Sequence, residues 1–125
     1  MSGRTSVVIA TSVLALRGVD RGELVLDAGL TYDGIEPVRV RVVKRGNRYS
    51  FDDQGGAVAA AGASPPAGFP RRLGLGHGRE VNVGGRGVVS LPGFERNSDA
   101  WLLELPELVA QGSLALYEVL LDLDE

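Results

Sequence analysis

The chain has 125 residues, 44% of them hydrophobic and 23% charged, with a formal net charge of −3. That is the size of one domain, able to bury about two-thirds of its unfolded surface, and the composition is that of a globular protein rather than a disordered one. Cysteine is absent, which excludes disulfides, thiolate metal sites and a cysteine nucleophile, and no run of about 18 apolar residues is present to span a membrane.

Taken in order, residues 5–16 are ambiguous. Val7, Val8, Ile9 and Val13 favour a strand by type, whereas the length of the segment and its Arg17-Gly18 ending favour a helix. A helix is the expectation. The apolar run after Arg4 has the outline of a signal peptide. Thr11 and Ser12 break it, however, and it carries a single positive charge, so a cytoplasmic protein is expected. Residues 19–22 read as a turn and 23–31 as a first strand, with Tyr32-Asp33-Gly34 as a second turn signal.

Pro37 then opens a hairpin. Val38, Val40 and Val42 alternate with Arg39 and Arg41, the period of two that marks a half-buried strand. Lys44-Arg45-Gly46-Asn47 supplies turn chemistry, and Tyr49 and Phe51 alternate with Arg48, Ser50 and Asp52 in the returning strand. Asp52 or Asp53 is suited to cap a short Ala-rich helix over 54–61, stopped by Gly62. Gly55 and Gly56 are poor helix formers, and a close approach of the helix start to the sheet would account for them.

Tyr49-Ser50-Phe51-Asp52-Asp53-Gln54-Gly55, entered from a hairpin and left into a small-residue helix, resembles a junction in small bacterial domain families of unknown function, with the pattern Tyr-x-x-x-Asp-x-Gly. The resemblance spans about residues 38–62. It implies a bacterial protein with a strand–helix core and carries over no catalytic residue.

Residues 62–78 are so rich in glycine and proline that no regular element of any length is expected there. The segment reads as mobile, or as an ordered loop crossing the sheet on Phe69, Leu73 and Leu75. Residues 79–83 and 86–91 around Gly84-Gly85 form a second hairpin by composition, ended by Pro92-Gly93. Asn97 or Ser98 can cap a last helical region, with Asp99 in its first turn, Trp101 packing that turn into the core and Pro106 dividing it. One stripe runs through Leu105, Val109, Gly112, Leu116, Val119 and Leu123, a second through Ala110, Leu114, Tyr117 and Leu121. That face is wider than the roughly 100° a helix on one sheet usually buries, so a second layer or another subunit should cover part of it. Gly112 in mid-helix points to a close packing contact.

Net charge is unevenly spread: −2 over residues 1–36, +6 over 37–96 and −7 over 97–125. Arg39, Arg41 and Arg48 should share the outward face of the central hairpin, with Arg71 and Arg72 nearby, a cluster able to hold phosphate backbones. Against this stands a solvated face neutralised by the acidic C-terminal helix. Tyr49 and Phe51, the rings that would stack on bases, fall on the opposite side.

Gly74, Gly76 and Gly78 form a glycine-rich stretch around His77, but phosphate-binding fingerprints need a strand before and a helix after the loop, plus a Lys-Ser/Thr or a third spaced glycine, and none of these is expected here. His77 is the single histidine and reads as a solvent-facing loop residue. Asp52 and Asp53 are adjacent at a strand end and point to opposite sides, which suits capping better than a shared metal or general-base site. No Gly-x-Ser-x-Gly elbow exists.

The expected architecture is α+β: an antiparallel sheet of two hairpin groups, about five strands, against a short helix and a long C-terminal helix. The leading functional expectation is a non-catalytic interaction module without cofactor or metal. It would bind a protein partner or a second copy through Leu116, Leu120 and Leu123. The alternative is nucleic-acid binding through Arg39, Arg41, Arg48, Arg71 and Arg72, and a small enzyme using the stretch from Gly74 to Gly78 comes third.

Overall fold

In a computed structural model of the chain, the described residues are 21–46, 48–94 and 99–123. The expectations for residues 5–16, for Asn47, for Asn97 or Ser98 as a cap and for the Trp101 side chain lie outside what is described. Among the described residues, no helix is long and apolar enough to cross a membrane.

Alternation decides the sheet. In β2 (Pro37–Arg45), Val38, Val40 and Val42 are fully buried while Arg39 between them is exposed. This strand pairs antiparallel with β1 (Arg21–Thr31) on one side and β3 (Arg48–Asp52) on the other. A second antiparallel group follows: β4 (Arg72–Gly76), β5 (Arg79–Val83) and β6 (Val89–Phe94). Antiparallel pairing of β3 with β6 joins the two groups into one six-stranded sheet of order β1-β2-β3-β6-β5-β4. The α+β architecture is therefore as expected, with one strand more.

The extra strand is β4. Leu73 and Leu75 turn inward and alternate with Gly74 and Gly76, so period-two patterning survives in a breaker-rich stretch, and the edge position tolerates the glycines. Phe69, Leu73 and Leu75 all pack on the core, as the ordered-loop alternative required. Other boundaries move too. Strand β1 begins at Arg21 instead of a turn, and β2 continues through Lys44 and Arg45, leaving Gly46 (φ +61°) to turn the hairpin. Pro92-Gly93 does not end β6. Between the pairs Phe51–Leu91 and Tyr49–Phe94, Pro92 and Gly93 face Ser50 alone, and this bulge absorbs the proline.

Helix α1 (Gly56–Ala61) begins two residues later than expected and stops at Gly62, whose N–H donates to the Val58 carbonyl at 2.9 Å. Helix α2 (Asp99–Leu123) runs unbroken through Pro106, which does not divide it. It packs on the inner face of the sheet and against α1. A Cβ on Gly112 would lie 2.5 Å from Val81 Cγ2, so the glycine marks the close contact its mid-helix position announced. Leu105, Val109, Leu116 and Leu120 line the same side and are buried. Leu116 and Leu120 are 0% and 1% exposed within a single chain, which makes them core and corrects their assignment to an intermolecular interface. Leu123, 56% exposed, is the one member of that trio left at the surface.

Candidate functional site

Two places gather polar chemistry. The first is the junction between β3 and α1. Gln54 (φ +56°) and Gly55 (φ +75°) both take the left-handed conformation, which throws the chain sharply from strand to helix. Asp52 and Asp53 diverge at this corner. Asp52 turns to the open face and accepts from Arg41 at 2.9 Å. Asp53 turns into the core, where Oδ1 accepts from the Gly55 and Val89 amides at 2.9 and 3.0 Å. Its Oδ2 accepts from the Ser113 hydroxyl at 2.6 Å and from the Ala57 amide at 3.4 Å.

With Ser113 donating to Asp53, the Tyr32 hydroxyl donates to Ser113, 2.6 Å away. The Tyr32 ring in turn packs on Tyr117, with centroids 5.3 Å apart. A Cβ on Gly56 would sit 2.5 Å from the Tyr32 hydroxyl oxygen, so close approach does explain that glycine, although to a tyrosine hydroxyl instead of the sheet. One carboxylate thus ties together β3, β6, α1 and α2, and through Tyr32 the loop between β1 and β2. Burial pushes the Asp53 carboxyl above the ordinary carboxylate range, against the lowering pull of its four donors. Burial likewise raises the Tyr32 phenol.

A cleft of about 360 Å³ opens over this corner, walled by Tyr32, Asp33, Glu36, Arg39 and Gln54. Its floor is chemically closed. Ser113 is 0% exposed and both its donor and acceptor capacity are used within the chain, while Asp53 is 2% exposed. A nucleophile or general base needs a substrate atom within hydrogen-bond reach, and neither residue offers one. The arrangement reads as a structural hub. It also supplies a physical reason for Tyr49, Asp53 and Gly55 in the seven-residue pattern: a buried ring, a buried acceptor and a left-handed residue.

The second place is the sheet face opposite α2. Arg21, Glu23, Val25 and Asp27 of β1, Arg39, Arg41, Val43 and Arg45 of β2, and Arg48, Ser50 and Asp52 of β3 share it by register. Two of its acids, Asp52 and Glu80, are ion-paired with particular arginines. Asp52 holds Arg41, and this hydrogen bond raises the guanidinium pKa. Asp27 stands opposite Arg39, and at the far edge Glu80 pairs with Arg72 at 3.2 Å. One row is made of arginine in all three strands. Arg21 stands opposite Arg45, and Arg45 stands opposite Arg48, three like charges side by side across three strands. A groove of about 470 Å³ runs beside this row, lined by Glu23, Arg41, Val43, Arg45, Arg48, Tyr49 and Ser50.

Of the arginines expected to cluster, Arg39, Arg41 and Arg48 do share the open face. Arg71 and Arg72 do not join them. Three strand spacings, roughly 14 Å, separate β4 from β3, and the Arg71 carbonyl is taken up by the Val83 amide. Arg21 and Arg45 are the residues sequence reasoning missed. Both were assigned to turns, and the signal for Arg45 was its odd-numbered parity with Arg39 and Arg41. Lys44, also assigned to that turn, points inward and is 5% exposed, its Nζ 5.7 Å from the centroid of the Tyr49 ring.

The stretch from Gly74 to Gly78 is half strand and half hairpin. Gly76 pairs with Arg79, and His77 and Gly78 between them both have positive φ, as a type I′ turn demands. His77 is exposed there. In comparisons with known proteins, no family model, no curated protein and no solved structure matches this chain.

Proposed function

We propose that this chain is a non-catalytic nucleic-acid-binding module that works through the open face of its sheet. The observation that carries the reading is the Arg21–Arg45–Arg48 row. The row sets three exposed arginines on one face of the sheet, and guanidinium groups match phosphate oxygens in planar, two-pronged fashion. Charge distribution supports it. Helix α2, on the other side of the sheet, has five acidic residues and no basic one, so a nucleic acid is drawn to one side of a molecule whose net charge is negative. The rival reading, self-association through the C-terminal helix, loses Leu116 and Leu120 to the core and keeps Leu123, with Leu121 beside it at the surface.

The test is titration of the protein into short labelled DNA and RNA at low salt, read by fluorescence anisotropy, beside an Arg21→Ser/Arg45→Ser variant. Binding with Kd between about 10⁻⁶ and 10⁻⁴ M is expected, as is usual for contacts made mainly to the backbone. The variant should bind at least tenfold more weakly. Equal binding by the variant, or none by either protein, rejects the proposal.

A further inference from the structure

We infer that the cleft over the β3–α1 corner docks an extended peptide of another protein, which bears a basic residue and adds to β2 as a short strand. This role is independent of the nucleic-acid reading above. Two observations lead there. The first is a gap in the sheet. Strand β3 pairs with β2 only from Arg41 to Arg45, because the chain leaves the sheet after Asp52 and turns through Gln54 and Gly55 into α1. From Pro37 to Val40, β2 has β1 on one side. On the other side it borders the cleft of about 360 Å³, whose far wall is Gly56, Ala59 and Ala60 of α1. At about 3.4 Å per residue this stretch is roughly 10 Å long, room for about three residues of a partner.

The second observation is which backbone groups face that gap. Arg45 and Arg48 close a hairpin across a two-residue loop, which makes them a pair that exchanges backbone hydrogen bonds. Alternation along β2 then turns the N–H and C=O of each odd-numbered residue toward β3. Within the gap these are the N–H and C=O of Arg39 and the C=O of Pro37. Val38 and Val40 turn theirs toward β1 and are 0% exposed, whereas Arg39 is exposed. Such groups beside a groove are what an added peptide strand uses: main-chain hydrogen bonds hold it and side-chain pockets select it. Charge chooses the partner. Asp33 and Glu36 stand at the Pro37 end of the cleft. Asp33 Oδ1 accepts from the Glu36 and Ile35 amides at 2.8 and 2.9 Å, and these bonds hold its carboxyl below the usual range, so it stays charged. Two carboxylates suit a lysine or arginine of the partner. Arg39, further along the same wall, repels one and confines it to the loop end.

The probe is the blocked peptide acetyl-Thr-Lys-Thr-amide, titrated into the isotope-labelled full chain and followed by backbone amide shifts. A few hydrogen bonds and one charge contact support a Kd of about 10⁻³ M. Shift changes should be confined to the loop between β1 and β2, the start of β2, and the corner into α1, with the Arg39 amide moving most. The same peptide methylated on every backbone nitrogen, and its glutamate counterpart acetyl-Thr-Glu-Thr-amide, should each bind roughly fivefold more weakly or worse. Ala59→Tyr, at an exposed position on the far wall, should block the slot, and an unaltered urea midpoint separates a filled slot from lost folding. Should that midpoint fall, Glu36→Gln, also at an exposed position, takes its place and must reduce the preference for lysine over glutamate. No shift at about 5 mM peptide, several times the expected Kd, overturns the inference. So do shifts centred elsewhere, binding indifferent to methylation or to the exchange of lysine for glutamate, and undiminished binding by a folded Ala59→Tyr.

Discussion

Asp53 is the residue on which the most elements converge, and its behaviour with pH should show it. Its folded carboxyl lies above the unfolded value of 3.8 because burial penalises the charge more than the four donors favour it. The folded chain therefore holds a proton the unfolded chain has released, over the window from 3.8 up to that raised value. In that window stability contributed by Asp53 is present on the acid side and is lost as pH rises. Urea unfolding across mildly acidic pH should show this fall, and Asp53→Asn, which cannot ionise, should flatten it while lowering stability overall. A wild-type profile that climbs with pH, attributable to Asp53 by its absence in the variant, would mean the donors outweigh burial. The sequence suggests Asp52 or Asp53 as the cap of the helix, but the N-cap is Gly55 without a side-chain cap, and Asp53 serves as a buried acceptor instead. What the sequence did not announce was Ser113, 60 residues away, because nothing in a helical stripe distinguishes a serine that faces solvent from one that faces a carboxylate.

At the scale of the elements, helix α2 carries the most instructive position. Replacing Gly112 by alanine should gain about 1 kcal/mol from helix propensity. The added Cβ, however, meets Val81 Cγ2 at 2.5 Å and Val89 Cγ1 at 3.1 Å, two inward side chains of adjacent strands with little freedom to retreat. Overpacking of that kind costs typically 1–3 kcal/mol. Gly112→Ala is expected to lower stability by about 1 kcal/mol net in chemical denaturation, and a more stable variant would show that the sheet yields. Other elements show where local signals fail. Pro106 should have ended a helix, yet α2 continues because burial of the residues on both sides of the proline outweighs one missing hydrogen bond. In β4, glycines masked a strand whose leucines still obeyed the period of two.

Across the whole molecule, the helices cover one face of the sheet and leave the arginine row on the other, and the wide apolar face of α2 is divided between the sheet and α1. That division sets the fate of the leucines. Leu120→Ala should reduce unfolding free energy by about 2–5 kcal/mol, since a fully buried side chain leaves a cavity in the core. Leu123→Ala should stay within about 0.5 kcal/mol. Size-exclusion chromatography should show the same oligomeric state for all three proteins. A change of state on either substitution would restore the helix as an assembly surface.

The sequence by itself determined the class of fold, the central hairpin, the stop of α1 at Gly62 and the tight contact at Gly112. Each follows from periodicity or from a glycine whose missing side chain has a local reason. The tertiary structure alone decided which arginines stand together and which leucines are buried. Arg21, Arg45 and Arg48 become neighbours only through the pairing of three strands in one register. Register is a property of two chains of backbone in contact, so no single stretch of sequence contains it. The same holds for the helix: its apolar stripe is written in the sequence, but what covers that stripe depends on where the sheet and α1 come to rest.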